Sequence, residues 1–137
     1  MAILLDPSAV LAAADAADLN HRAAVAWFGR VDEPLLLGAL GLGELDLLLR
    51  RELGPEASRA LVASVVSGAI RVVAPTTADL ARAAELLAEA AEHRPRLADA
   101  LLMATAERLG VRRVATFDRR PLAVLRPRHL RALDFEP

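Results

Sequence analysis

Residues 3–15 read ILLDPSAVLAAAD, an apolar run stopped by Asp6 and Pro7 and followed by an alanine-rich stretch. Ala2–Leu5 has the length of a short buried strand, and Pro7, which has no amide to donate, ends it. Ser8 is then the candidate cap of a helix running through about Ala14. A strand, an acidic turn and a helix in such close succession open an α/β unit.

The same grammar continues along the chain. Asn20 heads a helix through Val31, in which Ala24, Trp27, Phe28 and Val31 recur at helical spacing. Pro34–Leu37 reads as a strand, and the apolar segment 39–53, ended by Gly54-Pro55, as a helix. Another helix runs to Gly68, and Ala69–Ala74 is β-branched enough for a strand. Pro75-Thr76-Thr77 opens a helix from about 77 to His93, which Arg94-Pro95 breaks. A further helix at 97–109 is closed by Gly110, Arg112–Thr116 forms a strand ending just before Phe117-Asp118, and a last strand lies near Ala132–Phe135. The expected fold is α/β: one three-layer domain over residues 1–137, with a central, mainly parallel sheet flanked by helices.

Composition narrows the chemistry. A chain that is 55% hydrophobic with a net charge of −1 is neither disordered nor a polycation that coats nucleic acid. All 17 basic residues are Arg, so Schiff-base and phosphate-loop Lys mechanisms are excluded. The lack of Cys excludes disulfides, thiolate metal sites and a Cys nucleophile. With no basic leader and no apolar span of ~20 residues, a soluble, cytoplasmic protein without membrane association is expected.

Four acids stand out. Asp6 and Asp118 each directly follow an expected strand, where open parallel sheets bind ligands. Glu44 shares its helix face with Leu40, Leu47 and Leu48, and a carboxylate there calls for a cation, an Arg or a metal. Asp46, two residues on, points elsewhere and is expected in solvent. Asp99 shares a face with Leu102, Met103 and Ala106, with Glu107 and Arg108 marking the solvent side. Taken singly, a turn role for Asp6 or Asp118 and a helix-dipole role for Asp99 explain each acid. Clustered carboxylates repel unless a divalent ion lies between them, and all-oxygen donors select Mg²⁺, with Mn²⁺ able to substitute. Such an ion polarises a phosphodiester and activates water.

The segments ILLDPSAVLAAAD, GLGELDLLLRRELGP, RLADALLMATAERLG and RRVATFDRR, in this order, resemble the four acidic blocks of PIN-domain ribonucleases, in particular the VapC-type toxins of bacterial toxin–antitoxin pairs. The likeness spans nearly the whole chain. It implies a metal-dependent endoribonuclease in which Asp6, Glu44, Asp99 and Asp118 are catalytic and metal-binding, Asp118 through water or a second ion. Ser8 matches the family's small hydroxyl after the first Asp and is a candidate substrate contact. The likeness also implies neutralisation by a VapB-type antitoxin whose tail fills the groove. Pro7, Gly41, Gly43 and Pro121-Leu122 depart from the family pattern without removing a ligand.

Charge is segregated: residues 1–93 carry a balance of −6 and residues 94–137 one of +5. Arg119 and Arg120, next to Asp118, are the leading RNA contacts, with Arg94, Arg96, Arg112, Arg113, Arg126 and Arg128 as further phosphate candidates. The helices within Asp15–Val31 and Gly54–Gly68 offer a homodimer or antitoxin surface, although Trp27 itself suits the core better. His21, His93 and His129 are too dispersed for a zinc site. The alternative within the family is a catalytically degenerate PIN domain that binds RNA or protein. A dehalogenase-type phosphatase would need an Asp at position 8 and a Lys, and this chain has neither.

Overall fold

A computed structural model describes residues 1–137. The strands are β1 (Ile3–Leu5), β2 (Leu35–Gly38), β3 (Arg71–Val73), β4 (Arg113–Ala115) and β5 (Asp134–Glu136). They form one five-stranded sheet in the order β3-β2-β1-β4-β5, with every neighbouring pair parallel. The α/β reading and the parallel sheet therefore hold.

Alternation along β1 builds two cores from three residues. Leu4 faces a cluster with Ala83, Leu86, Met103 and Val114, while Ile3 and Leu5 face one with Ala9, Trp27, Leu37 and Leu45. The first cluster is covered by α5 (Thr77–Glu89), α6 (Leu97–Leu109) and the short α7 (Arg120–Ala123). The second is covered by α1 (Pro7–Ala14), α2 (His21–Arg30), α3 (Ala39–Leu53) and α4 (Pro55–Val66). Trp27 is core, as its helical spacing suggested; only 4% of it is exposed, and its Nε1 donates to Glu136 Oε1 at 2.9 Å. No helix is long and apolar enough to cross a membrane.

Helix ends follow local chemistry. Asp6, not Ser8, caps α1, because Pro7 takes the first helical position and the Asp6 carboxylate accepts from Ser8 N–H. Gly54, at φ +93°, is the joint between α3 and α4 and holds a conformation that a side chain would strain. Thr76 and Asp79 form a reciprocal capping box at α5, with bonds of 3.0 Å in each direction. That helix stops at Glu89 rather than His93. Pro95 disfavours a right-handed helical Arg94, so the chain tightens into a 3₁₀ turn at Ala91–His93 and reverses through Arg94 in the left-handed region.

Other expectations shift by small steps or fail. β3 and β4 are shorter than expected, and β5 lies one to two residues later, set by its pairing of Glu136 with Ala115. The α7 turn, anchored by buried Leu122, was not expected. Glu107 is not on the solvent side: its side chain is 11% exposed and grips Arg82 of α5 at 2.8 and 3.0 Å. Asp46 is half-buried and accepts from the Ser58 hydroxyl, tying α3 to α4.

Candidate metal and nuclease site

Topology alone gathers the acids. The chain leaves β1 toward β2 and β3 on one side and later returns to β4 and β5 on the other, so β1 lies at the point where strand order reverses. Asp6 follows β1. Glu44 lies early in α3, which begins immediately after β2. The α6 helix runs back against the strands before β4, so its first turn, with Asp99, stands at the same carboxyl edge. Asp6, Glu44 and Asp99 consequently line one cleft, floored by Leu4, Leu5 and Gly38. Gly41 lets α3 close on this edge, since a Cβ there would lie 3.2 Å from Leu37 and 3.6 Å from Pro7.

Asp6 and Asp99 are buried, at 8% and 3% exposure. Three donors converge on one oxygen of Asp6. Ser8 N–H bonds Oδ2 at 3.1 Å, Thr116 Oγ1 donates to it at 3.1 Å, and the Ser8 hydroxyl donates to it as well. Oδ1 is left for the cleft. Burial pushes the Asp6 carboxyl above its ordinary range and the charge of Asp99 adds to this, while the bonds from Ser8 and Thr116 oppose it.

Thr116 is the residue that sequence reasoning missed. Leu5 pairs with Ala115, so Thr116 stands one step beyond, level with Asp6. Its hydroxyl also accepts from Asp118 N–H at 2.9 Å. Only the register between β1 and β4 reveals this, and a β-branched hydroxyl directly after a strand was the available signal.

The Ser8 hydroxyl is committed to Asp6 and to Phe117 N–H, which it accepts at 3.0 Å, so its contacts are with the acid and the β4 turn rather than with open cleft. Ser8→Ala leaves that amide unpaired and removes a donor from Asp6. A loss of about 1–3 kcal/mol in urea unfolding at neutral pH is expected.

Glu44 does not face the core. Leu40 and Leu47 on its face are exposed, and its carboxylate stands on the cleft rim. There it meets the Arg foreseen as one of its possible partners: Arg96 Nη1 donates to Glu44 Oε1 at 2.9 Å, and Arg96 Nε to Asp99 Oδ2 at 3.2 Å. The two acids, Asp99 foremost, hold the guanidinium more firmly protonated than a free one.

The fourth acid stands apart. Asp118 is exposed on the turn after β4 and does not line the cleft. With Arg96 between Glu44 and Asp99, no three carboxylates stand close enough to ligate one ion. The donor set nevertheless fits a hard divalent cation in kind: oxygen only, two buried carboxylates within repelling reach, and an Asp6 oxygen free of protein donors.

The arginines also sort themselves. Arg120 lines a groove beside Asp99, whereas Arg119 donates to the Pro137 carbonyl at 3.0 Å. Arg112 and Arg113 sit at the start of β4, on the opposite sheet edge, and Arg113 is taken up by Glu136 and Glu33. Arg128 is paired with Glu85 and Glu107, and the Arg126 carbonyl accepts from Arg82. None of these last four faces the cleft.

A parallel sheet with acids gathered at its switch point defines the class: residues 3–126 match the PIN domain model, and the chain belongs to the PIN-domain family. It is 30% identical over 125 residues to ribonuclease VapC26 of Mycobacterium tuberculosis, covering 91% of this chain and 93% of that protein. Within the PIN domains, the chain is therefore a VapC-type ribonuclease toxin of the toxin–antitoxin kind. The crystal structure of Mycobacterium tuberculosis VapC20, a sarcin–ricin-loop-cleaving toxin, superposes with a TM-score of 0.82 at 27% identity, covering 88% of this chain and 93% of that one. VapBC2 of Rickettsia felis, bound to a promoter DNA fragment, gives 0.72 at 12% identity over 100% of both chains, a likeness of fold.

Proposed function

We propose that the protein is a Mg²⁺- or Mn²⁺-dependent endoribonuclease that cuts structured RNA and is held inactive by a VapB-type antitoxin. The observation that carries this is the single cleft lined by Asp6, Glu44 and Asp99 at the strand-order reversal, next to a groove that shares Asp99 and is lined by Arg94, Arg96 and Arg120. Structured RNA is the substrate class because the similar VapC20 cleaves the sarcin–ricin loop.

Asp6 Oδ1 and the Asp99 carboxylate would hold the ion, with Glu44 joining them once it is released by Arg96. When bound, it supplies Lewis-acid polarisation of the phosphodiester and a more acidic water. Asp6 is oriented by Ser8 and Thr116, so the carboxylate is fixed before substrate arrives. Glu44, on the exposed rim, is the acid placed to accept the proton of attacking water. Asp118 supports the site from outside the first cleft, through water or a second ion. Arg120, beside Asp99, is the better placed of the two leading arginines to meet a phosphate.

Similar chains are found in complex with VapB partners, which supports an antitoxin on this one. The exposed Val62 and Val66 of α4 offer an apolar face for it or for a homodimer.

The test is cleavage of total cellular RNA by the purified chain with Mg²⁺, Mn²⁺ or EDTA. Discrete cuts that vanish with EDTA are expected. Asp99→Asn should lower the rate by at least about 100-fold and Asp118→Asn by about tenfold. Cleavage untouched by Asp99→Asn overturns the assignment. The Arg96 bridge favours a second reading, a non-cleaving RNA- or protein-binding module, and metal-independent RNA binding without cuts would establish it.

A further inference from the structure

We infer that Arg96 has two stations: it bridges Glu44 and Asp99 until a divalent ion displaces it, and it then joins Arg94 and Arg120 in the adjoining groove to hold a phosphodiester of the RNA. The inference rests on the metal-nuclease reading. It makes Arg96 a substrate-binding residue that ion binding sets free.

The first support is the identity of the residue. Arg96 is the N-cap of α6, a position that favours Ser, Thr, Asp or Asn, and it makes no capping bond with its side chain. A cation at that end also opposes the helix dipole. Local structure thus gains nothing from an Arg here, and its guanidinium serves the acids instead.

The second support is the segment that carries it. Arg94 is the only non-glycine residue with positive φ, at 50°, a conformation an L side chain adopts at a cost. That turn sets Arg94 and Arg96 into one groove of about 310 Å³ with His93, Arg120 and one side of Asp99. Three guanidiniums around a groove that touches an acid of the cleft suit a phosphodiester whose scissile bond reaches the ion.

The third support is energetic. The Arg96 side chain is 59% exposed, so its ion pairs are screened by water and yield to a divalent ion. An ion between Glu44 and Asp99 and a guanidinium in the same place repel, so the two exclude one another. Arg96 lines the groove and bonds two acids of the cleft, so its two stations adjoin, with Asp99 common to both.

The test is Mn²⁺ titration calorimetry, joined to steady-state RNA cleavage. Arg96→Gln is expected to bind Mn²⁺ about three- to tenfold more tightly than the native chain while raising KM for RNA. Arg120→Gln removes an equal charge from the same groove without touching the acids, and should raise KM while leaving Mn²⁺ affinity near the native value. Arg96→Lys, which keeps the charge without the planar fork, should fall between and covers the case in which Arg96→Gln misfolds. If Arg96→Gln binds Mn²⁺ no more tightly than the native chain, while Asp99→Asn abolishes binding, the two-station role is wrong and the nuclease reading stands. If neither the native chain nor Arg96→Gln binds Mn²⁺, both fall.

Discussion

Asp6→Asn is expected to lower RNA cleavage by at least about 1,000-fold and, at neutral pH, to raise the melting temperature of the same protein. Both effects have one cause. Asp6 is buried beside Asp99, and burial, then the like charge, push its carboxyl above its ordinary value of 3.8. The folded state therefore binds that proton more readily than the unfolded chain. With the folded value raised, Asp6 costs stability progressively as pH rises from 3.8 through the folded value, and the cost is complete above it. Asn keeps an oxygen for the Ser8 and Thr116 donors and carries no charge, so it removes that cost together with the proposed anchor of the ion. Melting curves of both proteins from pH 3 to 8 should diverge upward in pH and converge at the acid end. A variant less stable than native at pH 7 would mean that the Asp6 charge is compensated within the fold.

Such a trade between stability and chemistry bears on why the three acids of the candidate cleft were legible in the sequence. A carboxylate out of keeping with its neighbours stands out, as Glu44 does among leucines and Asp6 does at the end of an apolar run. Their meeting followed from topology, because a parallel sheet sends every strand end to one edge. Asp118 satisfied the same rule and still stands apart. It is three residues past β4, whereas Asp6 is one past β1, and the turn at Thr116 directs it to solvent.

Helix limits read best where punctuation was explicit. Segments 39–53 and 97–109 match their helices to the residue, stopped by Gly54-Pro55 and Gly110. The α7 turn and the place of β5 depend on partners far along the chain, such as the pairing of Glu136 with Ala115, and no local pattern encodes those. Thr116 and Arg96 were obscure for the same reason. Each is defined by what lies across a strand pair or across two helices, Asp6 in one case and Glu44 in the other.

Glu107 shows how a long-range partner reverses a local reading, and it yields the second large effect. Helical spacing put it with Arg108 on the wet side of α6, yet its side chain is largely covered, where Arg82 of α5 reaches it with two bonds, of 2.8 and 3.0 Å. Arg82 also bonds Glu85 at 3.0 Å and the Arg126 carbonyl at 3.2 Å, so one guanidinium ties α5, α6 and the C-terminal segment together. Arg82→Ala leaves Glu107 buried with only the Arg128 amide, and removal of one partner of such a pair costs about 3–5 kcal/mol. For a domain of this size that is a fall of roughly 10–18 °C in melting temperature. The pH dependence distinguishes charge from packing. Burial pushes Glu107 upward, but Arg82 and the Arg128 amide outweigh it and hold the carboxyl below its ordinary 4.5. The native pair therefore contributes stability above pH 4.5 that is lost as pH falls through the lower folded value. Without Arg82 the upward push of burial is opposed only weakly, so the deficit of the variant should be largest at neutral pH and shrink on acidification. Arg82→Met combined with Glu107→Leu, which removes both charges and fills the space, should recover most of the loss. A deficit that is constant with pH, or a double variant no better than Arg82→Ala, would mean that the guanidinium acts by filling volume between α5 and α6.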